Sequence, residues 1–111
     1  MDTLLRTLLA VWSVSRRAGG VFEAGRGLAQ SLNARPGVSV EVLGMSDEWT
    51  AIDVEAWQPI RPRVHRPFGP KSYGYAPGVL RDMRILRPQI VDLHGVWTYL
   101  SWAVSEYSRE S

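Results

Sequence analysis

The chain contains no cysteine. Disulfides and thiolate metal sites are therefore excluded, and the composition fits a reducing compartment. Histidine is nearly as scarce, with His65 and His94 the only two. Two imidazoles without a thiol argue against a metal cage of protein ligands. No Asp-x-Asp pair is present to hold a metal-bound diphosphate. Lys71 is the only lysine, and no glycine-rich phosphate loop precedes it, so a Walker motif is absent. No stretch approaches the ~20 apolar residues of a membrane span. The apolar run from Leu4 to Val14 is interrupted by Arg6 and followed by Arg16 and Arg17, which is not the pattern of a signal peptide. The expected location is therefore the cytoplasm. Excess charge is missing too. Thirteen Lys and Arg against 11 Asp and Glu leave +2, too little to imply a nucleic-acid partner.

What remains is an ordinary globular composition, 45% hydrophobic and 22% charged, over 111 residues. That length is enough for one domain and one core. Leu8 to Val14 (LLAVWSV) is short, nearly all apolar and followed by glycines, as expected of a strand buried on both faces of a parallel sheet. The turn Ser15 to Gly20 comes next. Val21 to Ala34 reads as a helix with Val21, Gly25, Leu28 and Leu32 on the apolar face. Glu23 lies in its first turn, and Pro36 and Gly37 end it.

Val38 to Leu43 alternates valines at 38, 40 and 42 and predicts a second strand. Asp47 to Trp57 predicts a short helix or ordered loop, with Asp47 as N-cap and Trp49, Ile52 and Ala56 on one face. Pro59, Pro62, Pro67 and Pro70 break the next stretch. Between them Arg63 to Arg66 fits a short edge strand. Pro77 to Arg87 predicts a helix that buries Val79, Leu80, Met83 and Leu86 and stops at Pro88. Ile90 to Leu93 predicts a further strand. Tyr99 to Tyr107 predicts a last helix with Leu100, Ala103 and Val104 on one side.

Strands alternate with helices, so the fold class is α/β: a Rossmann-like three-layer sandwich with a mostly parallel sheet of about four strands. In such sheets the fourth strand returns beside the first, and ligands bind between the carboxyl ends of those two strands. That crevice falls between Ser13–Gly20 and His94–Thr98.

Several residues there invite two readings each. Gly19 and Gly20 open a helix N-terminus whose unpartnered amides suit a diphosphate, or they form a plain strand-to-helix turn. Arg16 and Arg17 add positive charge beside the glycines, or lie in a solvated loop. His94 contacts a sugar hydroxyl or phosphate, or satisfies itself at a strand end. Trp97 and Tyr99 stack on a sugar face, or pack as core and rim. Trp12, Trp49, Trp57 and Trp102 read mainly as structural. Arg61, Arg63, Arg66 and Lys71 form a basic cluster with Phe68 and Tyr73. It is either a solvated edge or a contact for an anionic or membrane-linked acceptor. Gly25 and Gly27 do not complete a dinucleotide fingerprint, because Gln30 stands where the third glycine belongs.

Two segments, Trp12-Ser13-Val14-Ser15-Arg16-Arg17-Ala18-Gly19-Gly20-Val21 and Leu93-His94-Gly95-Val96-Trp97-Thr98-Tyr99, resemble the N-terminal domain of family-4 glycosyltransferases. The resemblance extends over nearly the whole chain, including Leu28–Leu32 and Val40–Leu43. It implies a GT-B architecture of two Rossmann-like halves, of which 1–111 is the incomplete, acceptor-side half. It implies retaining, metal-independent transfer of a sugar from a nucleotide-diphosphate sugar to a glycan or lipid-linked acceptor in polysaccharide assembly, with no resident cofactor. Gly19, Gly20 and Arg17 then approach the donor diphosphate. His94, Gly95, Trp97, Tyr99 and Arg16 line the acceptor cleft, and no residue of this half is catalytic. Asp92 departs from the family, many of whose members carry a histidine there. The donor-binding half lies outside this sequence, so turnover by the chain alone is not expected. The alternative is a non-catalytic module that docks with a separate C-terminal half or holds an anionic glycan. Peripheral contact at the inner face of the membrane belongs to the same set of expectations.

Overall fold

A computed structural model describes residues 4–66, 76–94 and 99–110. Four strands form one all-parallel sheet: β1 (Leu5–Val11), β2 (Val38–Met45), β3 (Arg63–His65) and β4 (Ile90–His94). Their order across the sheet is β3-β2-β1-β4. The fourth strand thus returns to the far side of the first, as the sequence predicts. The edge placement of β3 also follows the prediction. The helices are α1 (Gly20–Asn33), α2 (Thr50–Asp53), α3 (Gly78–Leu86) and α4 (Tyr99–Glu110). Two 3-10 turns, Arg16–Ala18 and Val54–Trp57, fill the connections after β1 and β2.

Alternation along β1 sorts the core into two layers. Leu8 and Ala10 join Leu43 and Met45 of β2 beneath Val79 and Met83 of α3 and Leu100 and Ala103 of α4. Leu9 and Val11 join Val40 and Val42 beneath Phe22 and Ala29 of α1, with Trp57 wholly buried beside them. Helices therefore cover both faces of the sheet. This is an α/β sandwich of three layers with Rossmann-like strand order.

Three details differ from the sequence reading. β1 runs from Leu5 to Val11 rather than Leu8 to Val14. Val14 is wholly buried, but it serves the core from the loop and not from the strand. Its side chain fills the space over Gly44, where a Cβ would lie 2.8 Å from Val14 Cγ1 and from the Val11 carbonyl oxygen. The buried stripe of α1 is Phe22, Gly25 and Ala29, while Leu28 is exposed. The face of the 50–57 segment is Thr50, Asp53 and Trp57, and Ile52 points to water. In both cases a buried side chain one position away from the expected stripe turned the helix.

β3 is guarded by exposed charge, with Arg63 3.8 Å from Glu41. His65 joins it to α3 through a 2.7 Å contact between Nε2 and Asp82 Oδ2. Phe68, Lys71 and Tyr73 of the expected basic cluster lie outside the described residues. Among the described residues, no helix is long and apolar enough to cross a membrane.

Candidate functional site

Parallel pairing places Val11 of β1 opposite His94 of β4, so the carboxyl ends of the two strands are neighbours. The Trp12 amide closes the pairing with a 3.3 Å hydrogen bond to the His94 carbonyl. Val91 and Leu93 pack toward α3 and α4. Alternation therefore sends Asp92 and His94 to the other face, where α1 lies. The imidazole and the N-terminus of α1 thus share one side of the sheet and its carboxyl end. The strand ends expected to flank the crevice are therefore neighbours, while residues 95–98 of its second loop lie outside the described residues.

After Trp12 the chain leans away from β4 toward the end of β2. Ser13 and Ser15 are buried, with side-chain hydroxyls 2.6 and 2.8 Å from Asp47 Oδ2. The Trp49 amide donates to Asp47 Oδ1 at 2.9 Å. Burial pushes the Asp47 carboxyl up. The bonds from Ser13, the Trp49 amide and Ser15, together with the Arg17 charge, outweigh burial and hold it below its ordinary value. The Ser15 hydroxyl also accepts from the Arg17 amide at 3.1 Å and caps the 3-10 turn. Asp47 is thus a hub that fastens the loop after β1 to the loop after β2.

The two arginines of this loop already have partners. Arg16 forms a fork on Asp53, with Nε to Oδ2 at 3.0 Å and Nη2 to Oδ1 at 2.9 Å. Its own amide adds a third bond to Asp53 at 2.8 Å. These bonds hold the Asp53 carboxyl below its ordinary value. The guanidinium also lies 4.4 Å from the centre of the Trp49 ring. Arg17 meets Glu48 at 2.7 Å, with both side chains well exposed. The rim pair is open to exchange with another anion, because exposed ion pairs are worth little. The Arg16 fork is part of the loop's framework.

Gly19 adopts φ +58° and ψ −128°, a conformation open to glycine and strained for other residues. Its amide does not face the crevice freely: it donates to the Arg16 carbonyl at 2.9 Å. α1 begins at Gly20, one residue earlier than predicted. Gly20 and Val21 open α1, where the first amides precede the intrahelical ladder, so these two and not Gly19 are the candidate donors. A Cβ at Gly20 would meet nothing within 4 Å among the described residues.

His94 Nε2 lies 3.2 Å from Asp92 Oδ2, with the ring one-quarter and the carboxylate nearly half exposed. Tyr99 is buried in the core under α3 and α4 and stacks on Trp102 at 5.4 Å. It supports the start of α4 as a core residue. Gly95 and Trp97 lie outside the described residues. Among the described residues no group of three or more His, Cys, Asp or Glu is placed to hold a metal ion.

Sequence reasoning missed the anchors Asp47, Glu48 and Asp53, and the pairing of Asp92 with His94. One signal was available for Asp47. It follows the carboxyl end of the strand next to the first, and Ser13-x-Ser15 supplies two small hydroxyls beside that end. Nothing local marks Asp53 as the partner of Arg16. Comparison with known families, with curated proteins and with solved structures finds no match.

Proposed function

We propose that this chain is the acceptor-side half of a sugar transferase using a nucleotide-diphosphate donor, with the β1–β4 crevice as its ligand-facing wall. The observation that carries the reading is the position of His94. It stands at the carboxyl end of β4, beside β1 and on the face occupied by α1, at the point where the strand order reverses. Ligands of open α/β sheets bind at that point. The Gly20 and Val21 amides supply donors for an anionic oxygen, and His94 supplies an imidazole for a hydroxyl or a phosphate. The resemblance of the loops at 12–21 and 93–99 to family-4 glycosyltransferases supplies the reaction class. Transfer itself needs the donor-binding half that the family carries.

The second reading is a binding module without catalysis. It is favoured by the pairing of Arg16 and Arg17 with Asp53 and Glu48, which leaves less free positive charge than a diphosphate site would use. Titration of the isotope-labelled chain with uridine and guanosine diphosphates separates the two. The transferase reading expects amide shifts at Gly20 and Val21 and ring shifts at His94. A folded sample with no shifts at millimolar nucleotide removes it.

A further inference from the structure

The two arginines that precede α1 are held in unlike ways. Arg16 makes three bonds to Asp53, whose side chain is only 10% exposed, so its release would leave a nearly buried carboxylate without its donors. Arg17 pairs with Glu48, whose side chain is 59% exposed, so water can take over from either partner. The backbone on both sides of this second pair is nonetheless fixed. Asp47 accepts from the Ser15 hydroxyl, and that hydroxyl accepts in turn from the Arg17 amide at 3.1 Å. Asp47 also accepts from the amide of Trp49, the residue after Glu48. Arg17 and Glu48 follow β1 and β2, on the side of β1 away from β4. Three carboxylates, of Asp47, Glu48 and Asp53, meet two guanidiniums there. The balance of these five groups is one negative charge, which works against an anion approaching the start of α1.

We propose that Glu48 is a placeholder, an internal carboxylate that holds Arg17 and yields it to the diphosphate of a nucleotide. The inference deepens the transferase reading and rests on it. Carboxylate and phosphate present the same kind of acceptor oxygens to a guanidinium, so one can replace the other on Arg17 without moving the backbone. The diphosphate carries the larger charge and can bond the first amides of α1 as well, which favours it in the exchange. Glu48 turns to water at little cost, because its pair is exposed. Its departure from Arg17 also frees the one guanidinium of this loop that is not committed to a nearly buried partner. Arg16 stays on Asp53 throughout and keeps the loop in shape. Glu48 thus sets how tightly the site takes an anion while making no contact with the anion itself.

Titration of the isotope-labelled full chain with uridine diphosphate, read at the Gly20 and Val21 amides, tests the proposal. Removing the competitor releases the worth of an exposed ion pair, so Glu48→Gln is expected to bind about two- to fivefold tighter than the wild type. Glu55→Gln removes the same charge from a residue that bonds Gln58, and it is expected to bind as the wild type does. In a chain that already carries Arg17→Gln, Glu48→Gln is expected to bring no gain, because the pair it would open is gone. All three side chains are exposed, so these variants are expected to fold. A Glu48→Gln chain that binds no tighter, a gain matched by Glu55→Gln, or a gain that survives Arg17→Gln overturns the placeholder and leaves the transferase reading standing. No shift in any of the folded chains removes that reading and this inference together.

Discussion

Trp57 Nε1 donates to the carbonyl oxygen of Val14 at 2.8 Å, and both residues are wholly buried. The indole lies against α1, with its ring edge-on to Phe22 at 6.1 Å and its Cη2 3.6 Å from the Cβ position of Gly25. One side chain thus joins the turn after α2, the loop after β1 and the inner face of α1. Trp57→Phe keeps most of the apolar contact and removes the donor. The orphaned carbonyl alone is expected to cost about 1–3 kcal/mol. Urea unfolding of the two chains measures it.

Two glycines that look alike in sequence are expected to respond with opposite signs. A Cβ at Gly44 would lie 2.8 Å from the Val11 carbonyl oxygen, and that backbone cannot retreat within the sheet. Gly44→Ala is expected to destabilise by about 1–3 kcal/mol, as overpacking does. A Cβ at Gly25 meets side chains at 3.6–3.7 Å, an ordinary contact. Gly25→Ala is expected to stabilise by up to about 1 kcal/mol through helix propensity. Thermal melts of the pair give the comparison.

Asp47 and Asp53 both have carboxyls held below their ordinary value of 3.8 in the folded chain. Protons therefore bind the unfolded chain first. The stability these groups contribute is complete above that value and is lost as the pH falls through their lowered folded values. Acid unfolding followed by circular dichroism is expected to begin below about pH 4. Asp47→Asn is expected to flatten that dependence and to lower stability at neutral pH. A variant with the wild-type acid profile would assign the acid sensitivity elsewhere.

His65 and Asp82 close the β3–α3 connection at 2.7 Å, and Gly78 makes room for the ring. A Cβ at Gly78 would lie 2.9 Å from Nδ1 and Cε1, so Gly78→Ala must swing the ring away from Asp82. The expected cost is about 1 kcal/mol, one side-chain hydrogen bond. His65→Ala combined with Gly78→Ala is expected to cost less than the sum of the two single changes. A double-mutant cycle by denaturant unfolding decides.

The strand order and the element types were legible because they follow from alternation and punctuation. Valines at every second position of β2 and glycine or proline at the element ends carry that information locally. The end of β1 was not legible. Trp12-Ser13-Val14 continues the apolar run, and only the placement of Gly44 shows that Val14 packs from a loop. The stripe of α1 was set by Phe22, which finds Trp57 across 35 residues of sequence. The adjacency of the carboxyl ends of β1 and β4 was legible from the alternation of strands and helices. The engagement of the Gly19 amide with Arg16 and of Arg16 with Asp53 was not. Those bonds depend on how the loop leans, and the lean is fixed by carboxylates 32–37 residues downstream.

The same separation in sequence bears on when the loop after β1 takes shape. Contacts that close long stretches of chain form slowly, because the ordering of the intervening residues comes before any gain. The loop after β1 gains its fastening only once β2 and the turns behind it are in place. The order of assembly therefore runs from the sheet outward, with the 13–19 loop among the last parts to settle. A pulse of deuterium during refolding should label the amides of 13–19 after those of β1 and β2 have become protected.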